Sequence, residues 1–123
     1  MLHLKLLPGE RVYVLGHVVI EYFLQGGDIQ KPAWKIAPYH AEVPLICSDL
    51  TDVPYARTLP VPPQLPVPLS QEVEVSCLGI DRHGQMRVGF NAPTSIRILK
   101  EQKLIGEARA LSAVPIILGD SAS

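Results

Sequence analysis

Val73-Glu74-Val75-Ser76-Cys77-Leu78, then Asp81-Arg82-His83-Gly84, then Gln85-Met86-Arg87-Val88-Gly89-Phe90 is the stretch on which the reading of the fold turns. Apolar and polar residues alternate over 73–78, the period of a strand with one buried face, and the Asp-to-Gly tetrad supplies the turn chemistry that sends the next strand back beside it. The sequence therefore predicts a hairpin. Asn91-Ala92-Pro93 then turns the chain into Ser95-Ile96-Arg97-Ile98-Leu99, a third strand. Residues 100–111 carry Leu104, Ile105, Ala108 and Leu111 at helical spacing, which predicts one short amphipathic helix. Val114-Pro115-Ile116-Ile117-Leu118 reads as a short strand or packing arm, and 119–123 as a frayed tail.

The same grammar of short strands and turns runs back to the N-terminus. Leu2-His3-Leu4-Lys5-Leu6 alternates, Pro8-Gly9-Glu10 turns, and Val12-Tyr13-Val14-Leu15 and 18–24 are strand candidates around Gly16. After a turn at Gly26-Gly27-Asp28, Trp34-Lys35-Ile36 and Val43-Pro44-Leu45-Ile46-Cys47 continue the pattern, with Pro44 placing its strand at an edge or bulge. Twelve prolines and nine glycines in 123 residues cut the chain into pieces of this length, so the expected class is mainly β.

Between Asp52 and Ser70 the composition shifts to prolines separated by Leu59, Val61, Leu65, Val67 and Leu69. The apolar residues hold odd positions, which share one face of an extended chain, and the prolines have no ladder N–H to lose on the other. A linker that doubles as an edge strand is expected. Pro63-Gln64-Leu65-Pro66 also fits P-x-x-P, the pattern of a polyproline ligand.

With 47% hydrophobic and 19% charged residues the chain is long and apolar enough for one compact core. A net charge of -1 departs from the basic balance usual in nucleic-acid-binding domains. No run approaches the roughly 20 apolar residues that span a bilayer, and Met1-Leu2-His3-Leu4-Lys5 is not a basic leader ahead of an apolar stretch. A cytoplasmic location with no membrane association is expected. Cys47 and Cys77 are expected to be buried free thiols in a reducing compartment. His3, His17, His40 and His83 are scattered without the pairing a metal needs, no serine sits in a nucleophile elbow, and Asp49 and Asp52 read as solvated loop acids. Neither an enzyme nor a cofactor is expected.

Residues 73–80, then Gln85-Met86-Arg87-Val88-Gly89-Phe90-Asn91-Ala92-Pro93, then Ile96-Arg97-Ile98-Leu99-Lys100-Glu101 resemble the third, fourth and fifth strands of the bacterial CsrA/RsmA carbon storage regulators. The R-x-G-x-N-A-P run at 87–93 is the most specific part, since it combines a glycine within a strand, an Asn turn and a proline. Met1-Leu2-x-Leu4, Gly9-Glu10 and Gly16 resemble the family's opening strand, turn and second strand. In the middle, Trp34-Lys35-Ile36-Ala37, Glu42-Val43 and Ser48-Asp49-Leu50 echo Met86-Arg87-Val88-Gly89, the fifth strand and Glu101, while 65–72 falls where a second strand would lie. The chain is then two fused units: 1–53 a degenerate N-terminal repeat, 54–64 a Pro-rich linker or edge strand, and 65–123 a C-terminal repeat with helix and tail. A single unit with a long insertion is the alternative. The family's dimers are intertwined, the first strand of one subunit lying beside the fifth of the other. The resemblance therefore implies an intramolecular pseudo-dimer, a monomer with Leu4 near Ile98; a homodimer is the other oligomeric state compatible with it.

The resemblance also implies a function. The family presents a Leu and two adjacent basic residues from the first strand, and an Arg from the end of the fifth, to a single-stranded G-G-A loop whose base edges are open to readout. Here Leu4 matches the Leu, Lys100 stands at the Arg, and Asn91, Ala92 and Pro93 complete the adjoining turn. Leu6 and Leu7 occupy the two basic positions, with Lys5 and Arg97 the nearest substitutes, and a Lys lacks the planar fork of an Arg. The second edge falls on Cys47 and Leu59-Pro60-Val61-Pro62, with Arg57 nearby, so at most one RNA site is implied. Two functions follow. One is a post-transcriptional regulator that binds mRNA or a small regulatory RNA through Leu4, Lys5, Asn91, Ala92, Pro93, Arg97 and Lys100 and blocks translation. The other is a protein-interaction module on the same scaffold, with Leu6 and Leu7 as an exposed apolar pair.

Overall fold

In a computed structural model of the chain the described residues are 1–39, 50, 55–62 and 65–111. They form strands β1 (Leu2–Leu6), β2 (Arg11–Val14), β3 (Val18–Leu24), β4 (Pro32–Pro38), β5 (Arg57–Pro60), β6 (Val67–Pro68), β7 (Glu74–Ile80), β8 (Met86–Asn91) and β9 (Ile98–Lys100), and one helix, α1 (Glu101–Leu111). The protein is mainly β with a short helix, as its turn and alternation pattern predicts. Among the described residues no helix is long and apolar enough to cross a membrane.

The strands make two antiparallel sheets, sheet A in the order β1-β8-β7-β6 and sheet B in the order β5-β4-β3-β2-β9. Each sheet mixes strands from both sides of the Pro-rich stretch. β1 leaves its own neighbours to pair with β8, Leu4 opposite Val88 and Leu6 opposite Met86. β9 crosses the other way onto β2, Lys100 opposite Val12, and β5 closes sheet B on β4, Leu59 opposite Trp34. The expected pairing of the first strand beside the last is thus corrected: β1 and β9 belong to different sheets. Each satisfies its backbone N–H and C=O groups on a hairpin edge that would otherwise lie open.

Strand alternation turns one face of each sheet toward the other. Leu6, Val75, Met86, Val88 and Phe90 of sheet A meet Val12, Val14, Ile20, Tyr22 and Trp34 of sheet B in a continuous core. Each large side chain withdrawn from water there contributes about 1.5–3 kcal/mol. Tyr22 packs edge-on to Trp34 at 6.0 Å and donates its buried hydroxyl to the Gly84 carbonyl at 2.9 Å, which ties sheet B to the β7–β8 turn without leaving a polar atom unpaired. In the Pro-rich stretch Leu59 and Val61 are half-buried on this core and Val67 and Leu69 are buried, whereas Leu65 is 62% exposed. Odd positions therefore do face inward, except at Leu65. Cys77 is a buried free thiol whose pKa burial raises. His40, Cys47, the strand expected over 43–47, Asp49, Asp52, the Pro63-Gln64 part of the P-x-x-P pattern and the run 114–118 lie outside the described residues.

Sheet B carries a second, smaller core on its outer face, where Tyr13, Val19, Ala37 and Leu50 are buried and Leu104 of α1 packs against them. The Tyr13 hydroxyl donates to Glu101 Oε2 at 2.5 Å, and Arg11 lies 2.9 Å from Glu21 and 3.5 Å from Glu101. Burial and this carboxylate acceptor push the Tyr13 pKa well up, keeping it a donor. The network fastens the first turn of α1 to β2 directly after β9.

Candidate nucleic-acid interface

The short turn between β1 and β2 decides how the two sheets meet. Glu10 Oε1 accepts from the Leu7 N–H at 2.7 Å and lies 3.2 Å from Lys100 Nζ, while that same Nζ donates to the Lys5 carbonyl at 3.0 Å. Lys100, the last residue of β9, therefore bridges sheet B to β1 in sheet A. Leu4, Ala92, Ile96 and Ile98 are half-buried against the core. The turn after β8 is closed by the Ile96 N–H donating to the Pro93 carbonyl at 3.1 Å, which delays β9 to Ile98 instead of the expected Ser95.

Of the seven residues singled out in the sequence, the structure brings Lys5 and Lys100 together, with Leu4 next to Lys5 on β1, whereas Asn91, Ala92 and Pro93 lie at the far end of β8, beyond the Leu2–Phe90 pair. Arg97 is turned elsewhere. Its guanidinium donates to Glu107 of α1 at 2.8 Å, which raises the Arg97 pKa and lowers that of Glu107. The expected exposed pair Leu6 and Leu7 is also corrected: Leu6 is 0% exposed and only Leu7, at 48%, reaches solvent. Leu6 shares the inward face of β1 with Leu4 and packs opposite Met86, so it belongs to the core rather than to any surface.

The outward face of β1 adds His3 and, across the register, Arg87 of β8 to the expected Lys5. Lys5 lies directly opposite Arg87 and His3 directly opposite Gly89. The His3, Lys5 and Arg87 side chains are exposed, and with Leu4 and Leu78 they line a shallow groove of about 280 Å3. His3 and Lys5 are two apart in a strand, a spacing that places both on one face, but nothing local in the sequence shows that Arg87 lies opposite. On the corresponding edge of sheet B, exposed Arg57 lies opposite Ile36 and Thr58 opposite Lys35. Compared with known proteins, the chain matches no family model, no curated sequence and no solved structure.

Proposed function

We propose that the chain is a single-chain counterpart of the CsrA/RsmA dimers and that it binds one single-stranded G-G-A-type RNA element along the rim where β1 and β9 meet, covering a message leader and blocking translation in the cytoplasm. The strand order supports the pseudo-dimer. If β5 opens the second repeat, sheets A and B both place the first strand of one repeat on the fourth, third and second strands of the other. The register supports it as well, because Leu6 opposite Met86 and Leu59 opposite Trp34 align Trp34-Lys35-Ile36-Ala37 with Met86-Arg87-Val88-Gly89, the correspondence the sequence echo suggests.

The observation that carries the RNA reading is Lys100 Nζ held over the Lys5 carbonyl, one residue from Leu4. It supports the reading because a cation from β9 and the Leu of β1 are the groups that the resemblance implies at one site. The test is a titration of the purified protein with a G-G-A hairpin, alongside its mass in solution. One RNA per monomer is expected, with Lys100→Ala weakening binding several-fold and Arg57→Ala changing it little; losing a hydrogen bond to a charged group typically costs about 1.5–3 kcal/mol. An obligate dimer, or no retention of the hairpin at micromolar protein, overturns the proposal. A second reading, the protein-interaction module, is favoured by one observation: Arg97 and Lys100 already have carboxylate partners in Glu107 and Glu10. It takes the place of the first if the hairpin is not bound.

A further inference from the structure

Sheet A carries an uncompensated line of positive charge across its outer face. In antiparallel register Lys5 of β1, Arg87 of β8 and Gly79 of β7 lie side by side, so two like charges face each other with no acid on either flank. Like charges directly opposite destabilise a strand pair. The corresponding cation of sheet B is treated differently. Lys35 on β4 lies between Thr58 and Glu21, and its Nζ also sits 4.8 Å from the Phe23 ring centroid. In that row an acid, Glu21, stands between the two cations Arg11 and Lys35, whereas nothing separates Lys5 from Arg87 in sheet A.

The surroundings of Arg87 leave it open to a ligand. The only hydrogen bond its side chain makes among the described residues is a long one, 3.5 Å from Nη2 to the Leu78 carbonyl. Gly79, at φ +153° beside the bulge in β7, has no side chain to crowd it; a Cβ there would stand 3.3 Å from Nη2. Glu74 is opposite Asn91, four residues along β8 from Arg87, roughly 13 Å at about 3.3 Å per residue. Asp81, two residues beyond Gly79, has its Oδ1 engaged by the backbone N–H groups of His83 and Gln85 at 2.8 and 3.0 Å. The exposed His3 imidazole adds a hydrogen-bonding group at the end of the same groove.

We propose that His3, Lys5 and Arg87 form a phosphate track that holds the sugar-phosphate backbone of a single-stranded nucleic acid across the outer face of sheet A. The inference rests on the RNA reading for its ligand and extends it from Lys5 to His3 and Arg87, which the resemblance does not assign. Lys5 joins the two surfaces: its carbonyl is held by Lys100 at the rim while its side chain stands on the outer face, so a strand bound along the rim passes its phosphates over Arg87. Phosphate contacts position a strand without reading its bases.

The experiment compares a G-G-A hairpin with a hairpin of equal length lacking the element, across a salt series, for the parent, Arg87→Gln and Lys5→Glu. Arg87→Gln is expected to weaken both RNAs by the same factor, roughly fivefold at low salt, and to leave their affinity ratio unchanged. The same variant should flatten the salt slope by about 0.7, the increment for one single-strand phosphate that the protein no longer neutralises. Lys5→Glu is expected to abolish binding while raising the unfolding temperature, because it replaces a repulsive pair by an attractive one. That opposite movement separates a ligand site from a structural role. If the parent prefers G-G-A and Arg87→Gln leaves affinity and slope untouched, the track is overturned and the rim reading stands. If the parent binds both hairpins equally and Arg87→Gln weakens both, the track stands and G-G-A recognition falls. Failure of the parent to bind either RNA overturns both.

Discussion

β1 and β5 have the same task at opposite ends of the molecule, each closing a sheet on a neighbour of similar register, and they are built differently. In β1, Leu6 is fully buried opposite Met86, Leu4 is half-buried and Lys5 stands exposed opposite Arg87. In β5, Leu59 is half-buried opposite Trp34, and Arg57 and Thr58 are both exposed. Backbone topology can therefore be shared while chemistry is not: on the β1 side two cations stand directly opposite each other in the register, and there, among the described residues, a lysine from another strand grips the backbone.

The difference between the two strands is broken most severely by charge in the core. Leu6→Lys places an ammonium where no partner exists and should cost about 3–5 kcal/mol, the range for an uncompensated buried charge, whereas Leu59→Lys, whose head can reach water from the rim, should cost about 1 kcal/mol. Denaturant melts of the two variants measure this directly, and equal losses would remove the asymmetry. It also follows that basic residues at both Leu6 and Leu7 would unfold the protein sooner than restore a groove.

A smaller effect sharpens the contrast between the outer faces of the sheets. Tyr13→Phe removes the hydroxyl that fastens Glu101 to β2 and should cost about 1.5–3 kcal/mol, as for a hydrogen bond to a charged acceptor. Amide hydrogen exchange should then rise first in α1 and leave β7 and β8 protected; a uniform rise would show that α1 is not separately held.

The smallest effect is electrostatic and fades in acid. Arg97 lowers the pKa of Glu107, and the backbone N–H groups of Gln85 and His83 lower that of Asp81. A carboxylate whose pKa is depressed by folding contributes stability that is present above its unfolded pKa, 4.5 for Glu107, and is lost as pH falls through the lower folded value. Glu107→Gln should lower the unfolding temperature slightly at pH 7 and make its decline below pH 4.5 shallower, so that the two profiles converge in acid. An unchanged acid profile would show the Arg97–Glu107 pair to be energetically silent.

The alternation of Val73 to Leu78 and the turn residues Asp81 to Gly84 determined a hairpin by themselves, since a strand with one buried face needs a period of two and a tight turn needs Gly and Asp. The odd-numbered Leu and Val of the Pro-rich stretch, Leu65 excepted, determined its inward face for the same reason, and the period of β1 already marked Leu6 as an inward residue, against the exposed role that family resemblance assigned to it. Alternation says which face of a strand is buried but not which strand lies beside it. That β1 leaves its own hairpins for β8, that Lys5 consequently faces Arg87, that Lys100 reaches the Lys5 carbonyl and that Arg97 is claimed by Glu107 were decided only by the tertiary structure. The first three are contacts between residues well separated in the chain, and their formation depends on which sheet edge is left open once the local hairpins have formed; the fourth depends on how α1 is set against the turn before β9.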